Sequence, residues 1–138
     1  MKMIIGGAWQ GQLIWAKENC PEVTDEQWID GKTCELEAIF TCKGIYDFHE
    51  YVRRRMMTES LGLEGDHPVI FEKLAEEIIQ RNPQIVIVSD EIGYGLVPVD
   101  AFERAYREQV GRVCTALAGF SEEVVRVVMG IGNHIKEK

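Results

Sequence analysis

The chain has no paired-cysteine motif. Its four cysteines, Cys20, Cys34, Cys42 and Cys114, stand far apart and no C-x-x-C occurs, which excludes the ordinary thiolate zinc site. Scattered thiols predict core filler in a reduced, cytoplasmic protein. No metal site is expected, and the three histidines, His49, His67 and His134, are scattered. Basic residues are outnumbered 15 to 23 by acidic ones, for a net charge of -8; that balance excludes the basic face of a nucleic-acid binder. The one basic cluster, Arg53-Arg54-Arg55, would fan around a helix as a solvated surface. No apolar run approaches the roughly 18 residues of a membrane span, and Met1–Ile5 is too short for a signal peptide. There is no internal repeat, low-complexity run or linker, so residues 1–138 read as one domain.

What is present alternates between strand and helix patterns. Lys2–Ile5 is a short apolar run ending at glycines, as a buried parallel strand would. Gln12–Lys17 begins a helix that Pro21 limits to about two turns. Pro21–Lys32 is polar and turn-rich, with Asp30-Gly31 as a turn signal. Glu35–Thr41 reads as a strand, Tyr46–Ser60 as a helix broken by Gly62 and Gly65, and Pro68–Asn82 as a further helix with apolar Ile70, Phe71, Leu74, Ile78 and Ile79. Ile85–Val88 is the clearest strand. Asp100 caps a long helix to about Ala118, Val124–Met129 is a last strand, and the end is a loop and charged tail. The pattern predicts an α/β fold with three layers, helices on both faces of a mostly parallel sheet. Ligands in such sheets bind beyond the carboxyl ends of the strands. Gly6–Gly11, Thr41–Gly44, Ser89–Gly95 and Gly130–Gly132 are placed there by this reading.

The segment "GGAWQGQL", Gly6–Leu13, has the outline of a phosphate-binding loop, G-x-x-x-x-G-K-[ST] between strand and helix. Gly6 and Gly11 are in place, but Gln12 and Leu13 stand where lysine and Ser or Thr belong.

The second half is more specific. Asp90-Glu91-Ile92-Gly93-Tyr94-Gly95-Leu96-Val97-Pro98 resembles the N-E-V-G-x-G-I-V-P loop of the bifunctional cobinamide kinase/cobinamide-phosphate guanylyltransferases of adenosylcobalamin (vitamin B12) biosynthesis. Arg104, Tyr106, Arg107, Glu108 and Gly111 follow that family's R-x-F-R-D-x-x-G-x-x-N helix, with Cys114 in place of the Asn, and Gly130-Ile131 matches its ending. The family's G-G-A-R-S-G-K-S start is answered by Gly6, Gly7, Ala8 and Gly11. The stretch "AIFTCKGIY" resembles a family strand ending in D-C-L-T-x-W, with Cys42 and Tyr46 on its Cys and Trp and Thr41 at its Asp. The segment that carries the family's guanylyl-accepting histidine has no counterpart, since Asn19–Lys32 is short and contains no histidine.

The resemblance implies a P-loop NTPase-like domain with Gly6, Gly7, Ala8, Gly11, Gln12 and Leu13 around a nucleotide, GTP or ATP, and a homo-oligomer, such as a trimer. It also implies lost chemistry. Gln12 brings no charge to a phosphoryl group, Leu13 cannot ligate Mg²⁺, and Thr41 is no acid, so Mg²⁺ binding is in doubt. Trp9 would fill the phosphate space. Glu91 and Arg107 are the candidate catalytic residues. Glu91 serves either a ligand or its own loop; Arg104 and Arg107 either clamp phosphate or pair with Glu103 and Glu108. Lys43, beside the expected strand end, is a substitute for the missing lysine. His49 reads as a helix-face histidine with no matched partner rather than a replacement guanylyl acceptor, and Trp15 and Trp28 as packing residues. The resulting expectation is a degenerate family member that binds at most a nucleotide or corrinoid intermediate. The alternatives are a residually active enzyme and an oligomeric interaction protein.

Overall fold

The computed structural model describes residues 1–59, 68–93, 95 and 99–137. The Gly62 and Gly65 helix break, and Tyr94 and Leu96–Pro98 of the loop, lie outside the described residues. Six strands form one sheet in the order β2-β3-β4-β1-β5-β6: β1 (Lys2–Gly6), β2 (Trp28–Asp30), β3 (Gly44–Tyr46), β4 (Val86–Asp90), β5 (Glu123–Val128) and β6 (Ile131–Lys136). The first five in that order are parallel, and β6 runs antiparallel to β5. Among the described residues four α-helices join them: α1 (Gln12–Asn19), α2 (Phe48–Glu59), α3 (Pro68–Arg81) and α4 (Ala101–Phe120). None of the helices is long and apolar enough to cross a membrane among the described residues.

The strands' period of two sorts the core into two sides. Met3, Ile45 and Ile87 face the side covered by Tyr51 and Val52 of α2, Leu74 and Ile78 of α3, and Val110 and Leu117 of α4. Ile4, Val86, Val88 and Val127 face Ala16 of α1, with Cys20, Val23 and Trp28. This gives three layers, one helix on one face and three on the other. Asp100 caps α4 as expected, accepting hydrogen bonds from the Phe102 and Glu103 amides at 2.7 and 3.3 Å.

Three expected features are corrected. Leu36–Phe40, within the expected strand Glu35–Thr41, is a short 3-10 helix. Its apolar residues, Leu36, Ile39 and Phe40, are spaced for a helix, and Ile39 and Phe40 are buried. Side chains from outside satisfy two of its carbonyls: Tyr51 Oη donates to Leu36 O at 2.7 Å and Asn82 Nδ2 to Ile39 O at 2.8 Å, and Asn82 Nδ2 also reaches Cys42 O just beyond the helix at 2.8 Å. The true strand is Gly44–Tyr46. Second, the polar stretch before it contains β2, although the Asp30-Gly31 turn does form, with Asp30 Oδ1 accepting from the Lys32 amide at 2.9 Å. Third, the expected C-terminal loop is β6. Met129 and Gly130 both take positive φ, 50° and 77°, as the two central residues of a type I′ hairpin must.

The four cysteines are free. Burial pushes the Cys20 thiol up to about 11 and the Cys42 thiol up to about 12. Both are therefore expected to react with iodoacetamide at pH 8 at least about tenfold more slowly than an unstructured cysteine, because the thiolate is the nucleophile. Peptide mass spectrometry over time would measure this, and loss of the difference in urea would assign it to the fold.

Candidate functional site

The glycine loop leaves the carboxyl end of β1, the strand flanked by β4 and β5. Gly6 has no room for a side chain: a Cβ there would lie 2.7 Å from Val127 O. Gly11 ends the loop at φ 88°, just before α1. The loop is fastened to the β5–β6 hairpin. Gln10 O accepts from the Gly130 amide at 2.8 Å, and Gln10 Oε1 accepts from the Met129 amide at 2.8 Å.

Gln12 is buried and its amide is committed. Nε2 donates to Gly6 O at 3.1 Å, Gly7 O at 2.9 Å and Asp90 Oδ1 at 2.7 Å. Leu13 packs against the α1 side of the core. Trp9 does not fill the loop as expected; it is 99% exposed, at φ 64°.

Opposite the loop, the ends of β3 and β4 bring together three groups: Asp47, His49 and Asp90 each offer a ligand atom, all within 4.8 Å of one another. Asp47 follows β3, His49 lies in the first turn of α2, and Asp90 ends β4. His49 Nδ1 accepts from the Asp90 amide at 3.1 Å, so the neutral ring carries its proton on Nε2. That nitrogen lies 3.7 Å from Asp90 Oδ2 and 3.8 Å from Glu50 Oε1. Tyr106 Oη holds the same turn by donating to His49 O at 3.0 Å. Burial raises the Asp90 carboxyl above the usual range; the His49 and Gln12 contacts oppose this, and the nearby Asp47 carboxylate adds to it. Asp47 also pairs with Lys32 at 3.3 Å. A cavity of about 460 Å³ opens between these groups and Gly11, Gln12 and Leu13. His49 therefore has the partners that its sequence context did not show. As a guanylyl acceptor it is poorly placed, because its Nε2 lone pair is protonated and carboxylates flank it.

The other expected site residues divide. Arg107 and Glu91 line a second cavity, of about 490 Å³, with Gly7, Ala8, Glu50 and Arg53. Glu91 accepts from Arg126 Nε at 3.1 Å, and its amide donates to Gly6 O at 2.7 Å, so it braces the loop. Arg104 turns to Val99 O, and Glu108 pairs with Arg112 at 2.8 Å on the solvent side. Thr41 and Lys43 precede β3 instead of following a strand. They lie at the amino end of the sheet, in a cavity of about 400 Å³ with Lys2, Glu22 and Gln84. Thr41–Gly44 therefore does not join the cleft. The residue that follows β3 is an acid, Asp47, whereas the resemblance set Thr41 at the family's Asp.

The sequence profile described as cobinamide kinase / cobinamide phosphate guanyltransferase matches residues 49–135, more than half of the chain. The chain belongs to this family. It is also similar to the bifunctional adenosylcobalamin biosynthesis proteins CobU of Salmonella typhimurium and Escherichia coli. Each is 45% identical over 58 residues, which is 41% of this chain and 32% of the relative. The match thus spans about a third of those relatives' length. The family match runs from α2 through β6, so His49 and Asp90 lie within it, while the glycine loop and Asp47 lie before it.

Proposed function

We propose that this family member has lost phosphoryl and guanylyl transfer and keeps at most the binding of a nucleotide, GTP or ATP, or of a corrinoid intermediate, in the cleft between the glycine loop and the ends of β3 and β4. The observation that carries this reading is the fixed Gln12 amide. Where a P-loop lysine would reach the outer phosphate oxygens, a neutral group is spent on two loop carbonyls and Asp90. Phosphoryl transfer depends on positioning and electrostatic stabilisation, and loss of one such donor commonly costs ~10²–10³ in rate. Leu13 offers Mg²⁺ no oxygen. The backbone loop and the start of α1 still favour an anion, but Asp47, Asp90 and Glu50 face any phosphate that enters.

Incubation with cobinamide, Mg²⁺ and GTP or ATP is expected to yield neither cobinamide phosphate nor its guanylylated product above the protein-free rate. Calorimetric titration with each nucleotide, with and without Mg²⁺, tests binding separately. Product that requires the nucleotide and disappears in an Arg107→Ala variant with unchanged circular dichroism would overturn the proposal in favour of a residually active enzyme.

A further inference from the structure

We propose that Asp47, His49 and Asp90 bind a divalent transition-metal ion of the zinc class, which supplies beside the glycine loop the positive charge that Gln12 does not. The site needs no nucleotide and stands or falls independently of the proposed function. Three features lead to it.

The first is the donor set. Two carboxylates with one imidazole suit Zn²⁺, Co²⁺ or Mn²⁺ better than Mg²⁺ or Ca²⁺, which favour oxygen alone. The second is spacing. Two ligands at about 2.0–2.2 Å from a tetrahedral ion stand roughly 3.4 Å apart. His49 Nε2 and Asp90 Oδ2 are 3.7 Å apart, too far for a hydrogen bond and close to that separation. The full triad, within 4.8 Å, closes by a shift of the half-buried Asp47 side chain. The third is burial. His49 is only 8% exposed, and its Nε2 is aimed between carboxylates without reaching either. Three protein ligands leave a fourth position, which faces the cavity of about 460 Å³.

Two neighbours compete with the ion. Lys32 Nζ lies 3.3 Å from Asp47 Oδ2, but its side chain is 57% exposed and can swing into solvent. The Asp90 amide occupies His49 Nδ1. Coordination through Nε2 displaces that nitrogen's proton, and the neutral ring then carries one on Nδ1, so the hydrogen bond from the Asp90 amide breaks. The metal–nitrogen bond is thus gained against one hydrogen bond and the facing of two N–H donors, which the His49 ring relieves by turning away from the Asp90 amide. The exchange leaves a signature, a change of His49 tautomer on metal binding.

The test uses the full chain, stripped with a chelator and titrated with Zn²⁺ and Co²⁺ alone. Expected are one equivalent bound, at least about tenfold tighter than Mg²⁺, and cobalt d–d bands of a low-coordinate nitrogen and oxygen site. Nitrogen-15 spectra should show the His49 tautomer change. Asp90→Asn, His49→Gln and Asp47→Asn should each weaken binding tenfold or more. Asp47→Asn, at the half-exposed rim, serves where the buried variants fail to fold. Binding unchanged in Asp47→Asn, no saturable binding of either ion, or a thiolate-to-cobalt charge-transfer band pointing to the cysteines would each overturn the site.

Discussion

Truncation of Phe48 to alanine is expected to remove about 3–5 kcal/mol of stability, the usual cost of deleting a fully buried aromatic ring. Phe48 is fully buried and stacks on Tyr51, with ring centroids 6.0 Å apart and planes 13° from parallel. Net stabilities of single domains are about 5–15 kcal/mol, so the variant would lose much of its margin. The effect should reach the site as well, because Phe48 stands between Asp47 and His49 and anchors both to the core. Urea denaturation followed by circular dichroism measures the loss. A change under about 1 kcal/mol would mean that the start of α2 is held from elsewhere, by Tyr106 Oη or by the Arg53–Glu103 pair.

Gln12→Ala is the second large expected effect, a loss of about 2–3 kcal/mol. Removing Nε2 takes the donor from Gly7 O and from the half-buried Asp90 carboxylate, while Gly6 O keeps the Glu91 amide at 2.7 Å. Each unsatisfied group costs about 1–3 kcal/mol when water cannot replace the donor. Here the adjoining cavity admits water and holds the sum near the lower end. Gln12→Lys separates this structural role from the electrostatic one. A lysine keeps a donor in place and sets a full charge beside Asp90, so it should restore most of the stability lost in Gln12→Ala. It should also strengthen GTP binding, while competing with Zn²⁺ for Asp90. Thermal denaturation and calorimetry on the three proteins read these effects. Equal stability of Gln12→Ala and the unchanged chain would show that the loop holds its shape without the amide.

The long elements were legible in the sequence because their signals were local and redundant. Asp100 and Pro68 marked helix starts, and the β-branched run Ile85–Val88 could hardly be anything but a buried strand. The short ones were not. β2 and β3 have three residues each, too few for a period to show. Leu36, Ile39 and Phe40 carried a helical spacing that the β-branched and aromatic content of "AIFT" masked. That one error moved the expected strand end from Tyr46 back to Thr41, and the site with it. Read that way, Thr41 and Lys43 fall in the cleft, whereas they lie at the far end of the sheet and the acid that follows β3 is Asp47. The cluster of Asp47, His49 and Asp90 joins residues some forty positions apart in sequence. Its sequence trace is a carboxylate two residues before a histidine, just after the three-residue strand β3. β6 was missed because its side chains are mostly exposed and the hairpin uses methionine where asparagine or aspartate would have announced the turn.

The ties between Gln10 and the hairpin turn give the cleft a handedness of access. With its outer wall clamped to β5 and β6, the glycine loop behaves as a fixed jaw. The opposing jaw is the pair of strand ends that carry Asp47 and Asp90, knitted to α2 through His49. Gln12 is a stitch drawn between the two jaws. A visitor that enters through the flank of β3 and α2 passes the carboxylates of Asp47, Glu50 and Asp90, and must either leave that stitch intact or replace it.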